Sequence, residues 1–179
     1  MLNYLHFRFA APPGVGSTWF ILSMWEAGVK AYGYPGDAYI PFGDSIQWDT
    51  LKVSLVRHPL DWLAHQYLER RQGSCPPVEP FDDFRVSHFD NFVEDYLEQS
   101  PGGVGDLYAR YNADTVMRIE DMPGAFYEFM TSLGLTTNLR RHGLRAPRLL
   151  GPLPEWNPRL REKVARAEAE TLERYDYYA

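Results

Sequence analysis

The stretch "FAAPPGVGSTWF", Phe9–Phe20, decides how this 179-residue chain reads. It joins an aromatic-rich strand candidate, "YLHFRF" (Tyr4–Phe9), to the helix candidate "STWFILSMWEAG", which is apolar nearly all round, should therefore be buried, and should stop at Gly28. A glycine-rich turn entering a helix presents backbone N–H groups to an anion, and the helix dipole favours negative charge there. Gly14 and Gly16 let the backbone approach a ligand closely, while Ser17 and Thr18 each carry a hydroxyl donor. With a lysine between Gly16 and Ser17 the turn would read PPGVGKST, a phosphate-binding loop; here that cation is absent. The plainer alternative is a tight strand-to-helix connection in which Ser17 caps the helix.

Working outward, "VKAYG" is a second strand candidate. "LKVSLV" (Leu51–Val56) is a stronger one, followed by "RHPLDWLAHQYLERR", which turns helical at Pro59. "HFDNFVEDYLEQS" places Phe89, Phe92, Val93, Tyr96 and Leu97 at helical spacing, with an acidic opposite face that reads as solvated. "PGGVG" reads as a break, "TVMRIED" as a strand, and "PGAFYEFMTSLG" as a helix ending at Gly134. Asn157-Pro158 opens a final amphipathic helix carrying Leu160, Val164, Leu172 and Tyr175. Strands alternating with helices predict an α/β fold: a single domain over 1–179 with a central, mainly parallel sheet flanked by helices. Ligands bind at the carboxyl ends of such strands. The turn Ala10–Gly16 and the segment Arg57–Asp61 both begin where a strand is expected to end.

Bulk properties narrow the function. Hydrophobic residues make up 45% and aromatic residues 15%, which argues for a packed core. A formal net charge of -6 argues against a general nucleic-acid or membrane-surface binder. The single cysteine, Cys75, excludes an internal disulfide. No apolar run reaches the ~18 residues of a membrane span, and "MLNYLHFRFAAPPG" lacks the pattern of a secretory leader, so a cytoplasmic location is expected. An NTPase would need the missing lysine and a strand-end acid for Mg²⁺. "LKVSLV" ends in Arg57, and Asp121 is the only strand-end aspartate of that kind.

Together the pieces resemble the P-loop sulfotransferases, which move a sulfuryl group from 3'-phosphoadenosine 5'-phosphosulfate (PAPS) to a hydroxyl or amine. "PGVGSTWF" resembles the family's Pro-Lys-Ser-Gly-Thr-Thr-Trp-Leu loop at Pro13, Gly16, Thr18 and Trp19. "VRHPLDWLAHQY" resembles its Arg-Asn-Pro-Arg-Asp segment at Arg57, Pro59 and Asp61, with His65 where the family has a serine. "RIEDM" with "FYEFMTSLGL" looks like its Tyr-Glu-Asp-Leu segment and following helix, and "RAEAETLERYDYY" like its closing helix.

The resemblance implies that Pro13, Gly14, Val15, Gly16, Ser17, Thr18 and Trp19 hold the 5' end of PAPS. It implies that Arg57 and His65 hold the 3'-phosphate, that the product is the 3',5'-bisphosphate (PAP), and that no metal is required. Gly14 stands where the family has its lysine, so the cation must come from elsewhere. Candidates are Arg8, Arg70, Arg71 and the cluster Arg140, Arg141, Arg145 and Arg148. The family's base commonly lies between its two cofactor motifs. There the candidates are Asp37 and Asp44, with Asp49 and Glu26 behind them, each also readable as an ordinary turn or surface residue. Tyr32, Tyr34, Tyr39, Phe42 and Trp48 are candidates to stack on a small-molecule or carbohydrate acceptor. Two other readings remain: a nucleotide-binding or interaction protein on the same fold without the chemistry, and a kinase with a degenerate loop.

Overall fold

A computed structural model describes residues 1–42, 50–73, 78–79, 81–135 and 152–177. These residues form two compact units, one of 1–56 with 110–135 and one of 57–109 with 152–177. The class is α/β, with seven α-helices and one four-stranded mixed sheet among the described residues.

The first unit holds the sheet, in the order β1-β2-β3-β4. Its strands are β1 (Leu2–Asn3), β2 (Phe7–Phe9), β3 (Leu51–Val56) and β4 (Thr115–Arg118). β2, β3 and β4 run parallel, with Phe9 opposite Val53 and Val56 opposite Arg118, while β1 joins the edge antiparallel. Side chains alternate along a strand, so Phe7 and Phe9 share one face. That face packs on Phe20 of helix α1 (Ser17–Glu26) and on Phe129 of helix α5 (Gly124–Ser132). The Phe9 and Phe20 rings stack at 4.1 Å, and Phe126 meets Phe20 edge-on at 5.2 Å. Each such pair contributes ~0.5–1.5 kcal/mol beyond the area it buries, so the aromatic spacing of the sequence is the core of this unit.

Three expectations change here. The first strand is shorter than Tyr4–Phe9, because the Tyr4 N–H donates to the Phe7 carbonyl at 2.8 Å and closes a turn. "VKAYG" contributes only an isolated bridge, Tyr32 to Asn3. Helix α1 is not buried all round: Phe20 and Met24 are enclosed, but Trp25 is 73% exposed and Leu22 is exposed too.

The second unit is helical: α2 (Pro59–Arg71), α3 (Phe89–Gln99), α4 (Gly103–Ala109), α6 (Pro158–Ala167) and α7 (Ala169–Arg174). Pro59 and Pro158 occupy first-turn positions. The preceding His58 and Asn157 cap their helices, His58 Nδ1 accepting from the Leu60 N–H at 3.2 Å and Asn157 Oδ1 from the Arg159 N–H at 3.0 Å. Trp62, Phe81, Phe92 and Tyr96 form the core.

"PGGVG" begins helix α4 rather than ending order. A β-carbon at Gly105 would overlap the Thr171 hydroxyl, so glycine there permits close helix approach. The final helix is broken at Glu168, which turns its carboxylate inward. Oε1 accepts from the Tyr96 hydroxyl and from the Val104 N–H at 2.9 Å; Oε2 accepts from the Gly105 N–H at 3.1 Å and the Thr171 hydroxyl at 2.7 Å. A carboxylate that is 1% exposed with four donors exemplifies the rule that buried charge must be satisfied.

Candidate functional site

The glycine turn leaves β2 at Phe9 and enters α1 at Ser17, at the carboxyl end of a parallel strand. The Ala10 N–H donates to the Val53 carbonyl at 3.1 Å and the Ala11 N–H to Ala38 at 2.9 Å, tying the start of the turn to its neighbours. Gly14 at φ 79 and Gly16 at φ 89 are both left-handed, a conformation that favours glycine. Gly16 is the N-cap of α1 and offers no side-chain cap, so the helix is not capped by Ser17, which is already its first residue. Gly16 also lies against Ile119, in the 3-10 turn Ile119–Asp121 just after β4. Pro13, Val15 and Ser17 are buried, Gly14, Gly16 and Trp19 half-buried, and Thr18 is exposed. Trp19 packs edge-on against Phe126 at 5.4 Å, which gives that aromatic a packing role. The glycine-rich turn is thus held in a defined backbone form.

Arg57 and His65 belong to the second unit, and both are buried. Arg57 directly follows β3 in the chain and precedes the cap of α2. The Tyr108 hydroxyl grips its backbone from two sides, donating to the Arg57 carbonyl at 2.8 Å and accepting from its N–H at 3.3 Å. His65 lies on α2 with Nδ1 3.4 Å from Glu69 Oε1, one helical turn on. The two atoms approach without an aligned hydrogen bond between them. The other carboxylate oxygen, Oε2, accepts from Gln66 Nε2 at 3.2 Å. Tyr108 and Glu69 escaped the sequence reading. The His65–Glu69 spacing of four was a visible signal, whereas the Tyr108 clamp spans 51 residues and had none.

Asp37 is half-buried in the 3-10 turn Pro35–Tyr39, where Oδ2 accepts from the Tyr34 N–H at 2.8 Å. Its first observable role is therefore a turn cap. Asp44, Asp49, Trp48, Cys75 and the arginines at 140, 141, 145 and 148 lie outside the described residues. Glu26 is exposed. Of the remaining basic candidates, Arg70 pairs with Asp82 at 2.9 Å and Arg71 sits 5.8 Å from the Tyr67 ring centre. Arg8 is buried and lines a cavity of about 460 Å³ with Tyr4 and Tyr32; strand alternation points it away from the Phe7 and Phe9 face.

Arg118, a cation not singled out in the sequence, ends β4 next to Ile119 and pairs with Asp121 at 2.6 Å. Among the described residues no group of three His, Cys, Asp or Glu side chains is placed to hold a metal ion, and no helix is long and apolar enough to cross a membrane. No family model matches the chain, and no match is found among the curated proteins or the solved structures.

Proposed function

We propose that this chain is a P-loop-type sulfotransferase, moving a sulfuryl group from PAPS to a hydroxyl or amine of a small-molecule or carbohydrate acceptor. The observation that carries the reading is the left-handed pair Gly14 and Gly16 between a parallel strand and a helix, with the ordered motif resemblance behind it. In this reading the turn's amides and the Ser17 and Thr18 hydroxyls bind the 5'-phosphosulfate. Arg57 and His65 bind the 3'-phosphate, Arg57 through the paired donors that suit a phosphate.

During transfer the bond from sulfur to the bridging oxygen of the 5'-phosphate breaks, and its electron pair stays on that phosphate. A bond from sulfur to the acceptor oxygen forms, and the acceptor proton passes to a carboxylate, Asp37 or Asp44. Positioning and stabilisation of the spreading negative charge supply the catalysis.

A second reading, nucleotide binding without transfer, is favoured by Gly14 itself, because its φ of 79 disfavours the lysine that the family carries there. The kinase reading is weaker, since Asp121, its candidate Mg²⁺ ligand, is ion-paired with Arg118. The test is PAPS-dependent sulfation over an acceptor panel, run beside titration with PAP. Transfer establishes the first reading, tight PAP binding without transfer the second, and Mg²⁺-dependent ATP binding alone the third.

A further inference from the structure

We propose that Glu69 is a positioning residue that turns His65 into an anion-binding donor. This inference rests on the proposed 3'-phosphate site. His65 is 6% exposed, and its Nδ1 faces Glu69 Oε1 at 3.4 Å, so Nε2 is the ring atom left for a ligand. Gln66, fully buried, holds the second Glu69 oxygen at 3.2 Å and so restricts how the carboxylate can rotate. Three polar side chains within one and a half turns of the same helix, all enclosed or half-enclosed, with Gln66 bonded to Glu69, differ from a pair of surface side chains.

The chemistry follows from the ring. A carboxylate at Nδ1 directs a proton to that nitrogen. A phosphate oxygen at Nε2 requires a proton there as well, so the ring that binds phosphate is the doubly protonated cation. Glu69 supplies its countercharge, as the carboxylate partner of a ligating histidine does in metal sites.

The sign of the expected effect is unusual and makes the idea testable. Removing a negative charge near an anion site ordinarily strengthens anion binding. If Glu69 acts through His65, Glu69→Gln weakens it instead. We expect PAP affinity, measured by calorimetric titration, to fall about tenfold in Glu69→Gln and about tenfold in His65→Gln, the range of a hydrogen bond to a charged group. In the His65→Gln background, adding Glu69→Gln should cause no further loss, because the residue it acts through is gone.

Unchanged or tighter binding by Glu69→Gln overturns the inference and leaves the proposed function standing. An equal loss in the His65→Gln background also overturns it, since the effect is then structural. If Glu69→Gln melts below the titration temperature, Glu69→Asp carries the same cycle, with a loss that must again vanish without His65. A folded wild-type chain that binds no PAP overturns the proposed function, and this inference with it.

Discussion

Gly16 and Ile119 lie so close that a β-carbon at residue 16 would sit 2.5 Å from Ile119 Cδ1. The contact joins the glycine turn to the end of β4, and it fixes the turn from outside as its own left-handed φ of 89 fixes it from within. Gly16→Ala should therefore destabilise the fold by ~2–4 kcal/mol, combining backbone strain with overpacking. In an Ile119→Ala background, Gly16→Ala should cost only the backbone-strain share. Urea denaturation of both single variants and the double variant separates the two shares; a Gly16→Ala loss below about 0.5 kcal/mol would show that the turn is not held this way.

Gly14 tests the missing lysine. With φ at 79, Gly14→Lys should cost ~1–2 kcal/mol of stability. In a chain that already transfers sulfate it should not raise kcat, since the turn must distort to accept it. A large gain in transfer from an inactive wild type would instead favour the reading of a fold that lost its chemistry.

Glu168 is the strongest structural prediction in the helical unit. Glu168→Ala strands the Tyr96 and Thr171 hydroxyls and the Val104 and Gly105 amides, all of which it now satisfies. The expected loss is ~3–5 kcal/mol by urea denaturation, large against the stability of an ordinary domain. Burial, followed by the Glu168 charge, drives the Tyr96 hydroxyl well above its usual ionisation range, so Tyr96 remains a donor at any ordinary pH.

Tyr4 gives a pH-dependent test. Its hydroxyl is buried with no hydrogen-bond partner among the described residues, and burial pushes its pKa up to about 12 from an ordinary 10.0. Below pH 10 the proton is bound in both folded and unfolded chains, so Tyr4→Phe should be neutral or stabilising by up to ~1 kcal/mol. Between pH 10 and about 12 the unfolded chain releases the proton while the folded chain keeps it. Stability of the wild type is therefore lost across that window, by ~2 kcal/mol relative to Tyr4→Phe. Parallel stability curves for the two proteins up to pH 12 would refute this.

Much of the framework was legible because it is local. Strand Leu51–Val56, the helix start at Pro59, the Asn157-Pro158 entry and the Gly134 stop all follow from cap chemistry and periodicity. What escaped is non-local. The helix at Gly103–Ala109 is joined to a segment more than 60 residues away, where Gly105 admits Thr171 and the Glu168 carboxylate accepts from the Val104 and Gly105 amides, which no window of sequence reports. Around the candidate site, the glycines were readable from the turn they must make. The Ile119 contact and the Tyr108 grip on Arg57 depend on tertiary placement alone.

The most direct measurement is calorimetric titration of wild type and Arg57→Ala with PAP, with ATP-Mg²⁺ as control. The sulfotransferase reading predicts tight PAP binding, weakened at least about tenfold by Arg57→Ala while the variant stays folded, and weak ATP binding. No PAP binding by a folded wild-type chain, or binding that Arg57→Ala leaves unchanged, would contradict it.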